Sequence, residues 1–302
     1  MAGNARNTAA APAGEQECLE GVSLWADAWR RLKRNKMAML GGGVLLLIII
    51  VCILSPWIAP YPYWEIHHAD ANMPPGAKYW FGSDHLGRDI FSRVLYGGRI
   101  SLLVGVVATA VSLLIGVTYG ALSGYLGGRA DNIMMRFVDI LYGLPFMFFV
   151  IILVVVFGRN ILNLFIALGA VQWLTMSRIT RGQALSIRAK EYIMAARASG
   201  SNTPQILLRH VVPNLLGPIV VYATLTVPAV MLEEAFLSFL GLGVQAPMAS
   251  WGSLASDGIA TIEYYPWQIF FPGLALAVTL FSLNFLGEGL RDAIDPQMKD
   301  KG

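Results

Sequence analysis

Two adjacent carboxylates stand out among the residues that could do chemistry. Glu233 and Glu234 are the one charged pair well inside a long apolar run of the chain. Ionisable groups within a membrane are costly to bury and typically mark a function. Neighbouring helical residues point about 100° apart, so only one of the two can face a given pathway fully. Both are candidates for a pathway carboxylate, and an ion pair with Arg88, Arg93 or Arg99 is the structural alternative.

A second polar cluster lies between residues 61 and 99 and includes two adjacent histidines. Adjacent histidines cannot both direct a nitrogen at one ion without a special turn, so we predict no metal site. We expect instead a short helix capped by Ser83 or Asp84, in which Asp89 pairs with Arg93 one turn later. The residues assigned to structure or docking in this segment, which becomes the outer loop in the topology predicted below, are Asp84, Arg88, Asp89, Arg93 and Arg99.

The sequence contains no motif for phosphate binding or hydrolysis. No G-x-x-x-x-G-K-[ST], H-E-x-x-H or G-x-S-x-G segment occurs in it. If the chain works in an energy-dependent process, ATP must therefore be hydrolysed in another subunit. We predict no catalytic residue and no cofactor, and the net charge of +3 gives no support for binding nucleic acid.

The composition defines the setting of these residues. Of 302 residues, 56% are hydrophobic and only 14% are charged, which is too apolar for a soluble domain of this size. Six runs approach or exceed the length of about 20 apolar residues that crosses a bilayer core. They lie at 38–60, 100–122, 137–157, 161–178, 215–240 and 267–289. We therefore predict an all-α polytopic membrane protein with six transmembrane helices, in which Pro145, Pro228 and Pro272 permit kinks.

The distribution of Lys and Arg predicts the orientation of these helices. Most of the cations fall on the side that contains both ends of the chain, and the 241–266 segment contains none. By the positive-inside rule, both termini are cytoplasmic. Before the first run, residues 1–22 are predicted to form a disordered tail. Residues 23–36 are predicted to form an amphipathic helix at the membrane interface, with Trp25 and Trp29 on its apolar face.

One polar insert, EYIMAARASGSNTPQILLRHVVPN at residues 191–214, separates the fourth and fifth runs and faces the cytoplasm in this topology. Gly200 is a typical residue to end one helix, and Thr203 is predicted as the N-cap of a second helix that has Pro204 at its first position and ends at Pro213. Ala195 and Ala196 keep one face small, so another protein could approach it closely. A solvated hairpin that only joins two spans is the alternative.

The insert resembles the cytoplasmic loop of permeases from binding-protein-dependent ABC importers. That loop has a Glu-Ala-Ala triplet, a glycine four residues later and Ile-x-Leu-Pro further on. The chain matches at Ala195, Ala196, Gly200 and Pro213, and Met194 replaces the usual Glu. Other segments resemble the second-subunit permeases of the peptide and nickel transporter group, above all the oligopeptide permease C subunits. Among these segments are FGSDHLGRDIFSRVLYGGRISLLVG, EEAFLSFLGLGVQAPMASWGSLASDG and NFLGEGLRDAIDP.

The resemblance implies an importer subunit that forms half of the pathway for oligopeptides or dipeptides. The implied partners are a second homologous permease subunit, two ABC ATPase subunits, an extracytoplasmic substrate-binding protein and the lipid bilayer of a bacterial or archaeal cytoplasmic membrane. Nickel, glutathione and antibiotic peptides remain alternative cargoes. A self-sufficient secondary transporter or channel remains the alternative class of protein.

In that family the insert is the coupling helix, which seats in a groove of the ATPase. The residues assigned to ATPase coupling on this basis are Ala195, Ala196, Arg197, Gly200, Thr203 and Pro213. The implied organisation is a disordered cytoplasmic tail at 1–22, an interfacial helix at 23–36, the first transmembrane helix and outer loop at 37–99, the permease core at 100–290 and a cytoplasmic tail at 291–302.

Overall fold

A computed structural model describes residues 24–294, and more than three quarters of them are helical. Twelve α-helices follow one another, and one isolated bridge between Ser83 and Asp89 is the only β-type pairing in the described range. The helices are α1 (Leu24–Arg34), α2 (Lys36–Ile53), α3 (Ser55–Ile58), α4 (Ile90–Leu126), α5 (Gly128–Tyr142), α6 (Phe146–Phe157), α7 (Ile161–Arg188), α8 (Glu191–Ala198), α9 (Thr203–Ile206), α10 (Val212–Phe239), α11 (Trp251–Ile259) and α12 (Trp267–Ile294). The tail predicted at 1–22 lies outside the described residues, as does most of the tail predicted at 291–302.

Five continuous helical segments are long and apolar enough to cross a membrane: α2, α4, α7, the segment Thr203–Phe239 and α12. The α5 and α6 helices pass the same test of length and composition only as a pair, and they are bent by 84° at the break between them. The prediction of one helix at 137–157 is therefore wrong. Pro145 lacks an amide donor and disfavours helical angles at Leu144, so the chain leaves the helix after Tyr142. Pro228 and Pro272, by contrast, lie inside continuous helices.

The α4 helix is much longer than the predicted span at 100–122. It begins at Ile90 and contains 37 residues, a length of about 55 Å. Asp89 caps it by accepting a hydrogen bond from the Ser92 amide at 2.8 Å. The short separate helix that we predicted in the outer loop is therefore the first part of α4, and its cap is Asp89 rather than Ser83 or Asp84.

Small residues let α4 lie directly against α7. Along α4 they recur every four residues at Ser112, Gly116, Gly120 and Gly124. A Cβ on Gly124 would lie 2.6 Å from the Arg181 carbonyl oxygen, and one on Gly120 would overlap the Ser177 carbonyl oxygen. This small-xxx-small pattern is typical of membrane helices whose backbones approach closely.

Side-chain contacts group the ends of the helices at two opposite ends of the bundle. The end that contains α8, the starts of α2 and α10 and the ends of α4, α7 and α12 is called the α8 end. The end that contains α11 and the connection between α3 and α4 is called the α11 end. The α1 helix packs at the α8 end, where Ala28 and Leu32 join a buried cluster with Ala38 and Ala293. On its exposed side, Lys33 Nζ lies 5.1 Å from the centre of the Trp29 ring, and the position of α1 in a bilayer interface stays a prediction.

Candidate functional site

The insert forms a helix, a turn and a second helix at the α8 end. Gly200 ends the turn after α8 with a φ of +84°, a left-handed conformation that favours glycine. The N-cap of the second helix is Asn202, whose side chain accepts from the Gln205 amide in a full capping box. The prediction of Thr203 as the cap is therefore wrong by one residue, because the Asn202 oxygen fills that role and Thr203 is already helical.

The second helix of the insert does not end at Pro213. It continues through a π turn at Leu207–Val211 into α10. Pro213 has no amide hydrogen, and its ring would crowd the carbonyl four residues earlier, so the wider π turn accommodates it. The side chain of Asn214 donates to the His210 carbonyl at 2.6 Å. The insert is therefore joined to α10 by continuous helix.

The two alanines of the insert point to different sides. Ala195 is exposed, whereas Ala196 packs against a buried cluster that includes Ile193 and Ile206. The prediction that both alanines share one open face is wrong, because adjacent helical residues differ by about 100° in direction. The exposed apolar surface of the insert consists instead of Tyr192, Met194, Ala195 and Leu208.

Arg197 binds within the chain. Its Nε donates to the Tyr125 hydroxyl at 3.1 Å, and its guanidinium lies 4.8 Å from the centre of the Tyr125 ring. Tyr125 is buried near the end of α4, so Arg197 ties α8 to α4. The neighbouring pair of Asp131 and Arg181 is bidentate, with both N–O distances at 2.6 Å, and joins α5 to α7. The sequence reasoning did not identify Tyr125, Asp131 or Arg181.

Glu234 is buried at the α11 end and accepts hydrogen bonds from two serines. Its Oε1 accepts hydrogen bonds from Ser238 at 2.8 Å and from Ser250 at 2.7 Å, and the residue is 1% exposed. Ser250 is the N-cap of α11, so the carboxylate also lies near the positive end of that helix. These contacts fasten α11 to α10. An ion pair with Arg88, Arg93 or Arg99, the alternative considered above, is not formed.

Glu233 points to another part of the bundle. Its Oε1 accepts from the Gln172 side chain on α7 at 2.6 Å, while the Oε2 atom is buried and has no hydrogen-bond partner in the described part of the chain. Glu233 lines a cavity of about 460 Å³ together with Gln172 and the non-helical residues Gly143–Pro145. Gln172 interrupted the apolar pattern of the fourth run, and that polar interruption was the available signal for this contact.

The outer-loop arginines pair with Asp84. Its Oδ2 accepts from Arg88 Nε at 2.7 Å and from Arg93 Nη1 at 2.6 Å, and all three side chains are buried. Burial by itself raises the pKa of Asp84, but the charges of Arg93 and Arg88 and the hydrogen bonds from Arg88 outweigh it and lower that pKa below its ordinary value. The predicted pair of Asp89 with Arg93 is therefore wrong.

Arg99, the remaining outer-loop cation of the predicted site, has a separate role. It donates to the Ile53 carbonyl at 2.8 Å, and this contact links α4 to the end of α2. A metal site was not predicted, and the described residues contain no cluster of three or more potential metal ligands.

The chain is a bundle of membrane-spanning helices, with an exposed helix–turn–helix at one end and a carboxylate-lined cavity between its spans. This architecture is typical of the membrane-embedded component of a transporter. The chain belongs to the family described as the binding-protein-dependent transport system inner membrane component, which matches residues 116–300. Residues 23–75 match the N-terminal transmembrane domain of oligopeptide transport permease C. The predicted membership in the ABC importer permeases is confirmed.

Relatives match nearly the full length of the chain. The oligopeptide transport system permease protein OppC of Escherichia coli K12 is 52% identical, covering 92% of this chain and 93% of its own. OppC of Bacillus subtilis is 46% identical, covering 96% of each chain, and the dipeptide transport system permease protein DppC of the same organism is 47% identical, covering 92% of this chain and 87% of its own.

A solved structure shares the fold. A chain of the inward-facing MetNI methionine ABC transporter superposes with a TM-score of 0.55 at 19% identity, covering 67% of this chain and 96% of that chain. At that identity the likeness concerns the fold alone, and it supports the predicted all-α permease architecture.

Proposed function

We propose that this chain is the permease subunit of an ABC importer for oligopeptides or dipeptides and forms half of the translocation pathway. We infer the substrate class from the identity of 46–52% to oligopeptide permeases over at least 92% of this chain. A second permease subunit supplies the other half of the pathway. A substrate-binding protein delivers peptide at the α11 end, and two ATPase subunits provide the energy.

The insert is the contact with the ATPase. On the proposed topology, Tyr192, Met194 and Leu208 are large apolar side chains exposed on the cytoplasmic side, with exposed fractions of 44%, 54% and 72%. An apolar surface of this kind favours burial by a partner protein. Arg197 and the continuous helix into α10 then connect the docked surface to two spans, so motion of the ATPase reaches the bundle.

The two glutamates have separate roles. Glu233 faces the pathway, because it lines a cavity at the break between α5 and α6, where non-helical backbone is tolerated beside a cavity. Glu234 and the cluster of Asp84, Arg88 and Arg93 hold the α11 end in shape for docking of the binding protein.

The proposed orientation of the helices in the membrane can be tested by cysteine labelling. A cysteine introduced at Ser201 is expected to react with a membrane-impermeant maleimide only after the membrane is opened, whereas one at Ala246 reacts in intact cells. Ser201 lies in the turn between α8 and α9 and is half-buried, and Ala246 is exposed in the connection between α10 and α11. Both variants are made in a Cys18→Ser chain, whose remaining Cys52 is buried, and that chain provides the background signal. The reverse labelling pattern would overturn the cytoplasmic placement of both termini.

The function is tested by transport in proteoliposomes. With its sister permease, ATPases and binding protein present, the complex is expected to accumulate a labelled tripeptide only when ATP is supplied. Omitting the ATPases should reduce uptake to the level of empty liposomes. Ion-gradient-driven uptake by this chain alone would contradict the proposal. ATP-dependent uptake of nickel or glutathione in place of the tripeptide would keep the class of transporter and replace the cargo.

A further inference from the structure

The cavity beside Glu233 has the features of a small-ligand site. It is formed where the end of α5, the break at Gly143–Pro145, α7 and α10 meet, and its volume of about 460 Å³ lies within the range of about 300–1,000 Å³ that is typical of ligand pockets. Its described walls are mostly apolar, from Leu141, Phe149 and Val171, with polar groups from Gln172, Thr175 and Glu233. Few polar groups in an apolar cavity are typical of sites that orient a small molecule.

The described lining of this cavity contains a negatively charged side chain and no positively charged one. Glu233 is the only carboxylate among the described lining residues, and none of these residues is a lysine or an arginine. Gln172 satisfies the Oε1 atom, but the buried Oε2 atom has no hydrogen-bond partner in the described chain. A carboxylate in apolar surroundings is costly unless a cation or donor meets it. The cavity therefore favours a cation that arrives from outside the chain.

We propose that this cavity is a binding site for a primary ammonium group and that it receives the protonated α-amino group of a peptide during translocation. An organic ammonium fits better than a metal ion, because one carboxylate with an amide and a hydroxyl provides too few anionic ligands for tight divalent binding. The Glu233 carboxylate pairs with the ammonium, and the apolar walls contact the first side chain. The identification of the cation as peptide rests on the proposed function.

The site is tested directly with two probes that differ only at the amine. The assembled complex in nanodiscs, without ATP or binding protein, is titrated with alanyl-alanine N-methylamide and with its N-acetyl derivative, and binding is measured by saturation-transfer NMR. Both probes lack a free carboxylate, so only the ammonium distinguishes them. The amine probe is expected to bind at least about tenfold more tightly at pH 7.5, where most of an α-amino group with a pKa of about 8 is still protonated. Equal affinities, or no binding of the amine probe, overturn the proposal.

Substitutions test whether Glu233 causes the tighter binding of the amine probe. Glu233→Gln keeps the shape of the side chain and is expected to abolish the tenfold preference, while Glu263→Gln, an exposed glutamate in the connection before α12, keeps it. An unchanged preference in Glu233→Gln overturns the site. If that variant does not assemble, the comparison of the two probes on the wild-type complex still tests the proposal, because equal affinities overturn it. ATP-dependent peptide uptake by a complex that fails the probe test would leave the transport function standing and remove only the ammonium site.

Discussion

Arginine at position 195 is expected to separate assembly from coupling. The side chain of Ala195 is exposed on α8 and belongs to none of the buried clusters of the described residues, so Ala195→Arg should reach the membrane and pair with the sister permease. In the docked complex the new charge would be buried against the ATPase without a partner, at a cost of about 3 kcal/mol or more, equivalent to about a 100-fold loss of affinity. The measurements are co-purification of the ATPases and the stimulation of ATP hydrolysis by loaded binding protein.

The structure supplies the controls for this experiment. Ala130→Arg places the same side chain at an exposed alanine of α5 near the α8 end and should retain the ATPases. Ala196→Arg is a poor test, because Ala196 packs into the cluster of Ile193 and Ile206 and its loss would disturb the fold itself. Gly200→Val disturbs only the backbone of the turn. The φ of +84° strains a β-branched residue, whereas no atom lies within 4 Å of a Cβ added at this position. Full retention and stimulation in Ala195→Arg would mean that the insert is only a connecting hairpin.

Leucine at position 120 is expected to prevent stable assembly of the bundle. Gly120 lies against the backbone of α7, and a Cβ there would overlap the Ser177 carbonyl oxygen and lie 2.9 Å from Thr180 Cβ. A leucine must therefore push α4 and α7 apart, and overpacking of this kind costs about 3 kcal/mol or more when backbone is the obstacle. Thermal melting followed by fluorescence-detected size exclusion is expected to show a large loss of folded protein.

Gly182→Leu is the matched control for this change. Gly182 lies in α7, the same pair of helices, but no atom stands within 4 Å of its Cβ direction. Leucine there should leave the melting temperature close to that of the wild type. If Gly120→Leu and Gly182→Leu melt alike, close backbone contact between α4 and α7 does not hold the bundle together.

The predicted pair of Asp89 and Arg93 shows why the partners of charged side chains could not be read from the sequence. Asp89 and Arg93 have the spacing of a helical ion pair, yet Asp89 caps α4 and Arg93 binds Asp84. Spacing along the chain identifies which groups can meet, but a cap and a tertiary contact compete for the same side chain. The stronger geometry, a buried aspartate between two arginines, depends on how the outer loop folds over α4.

Apolar run length and local turn chemistry, such as glycine at the left-handed position 200, were enough to predict the class of protein, the approximate positions of most spans and the helix–turn–helix of the insert. The packing of the helices was needed to show that Ala195 faces outward and Ala196 inward, that the helix ends before Pro145, and that Glu233 lines a cavity while Glu234 fastens α11. Adjacent helical residues differ by about 100° in direction, and the packing of neighbouring helices selects which of them faces the core.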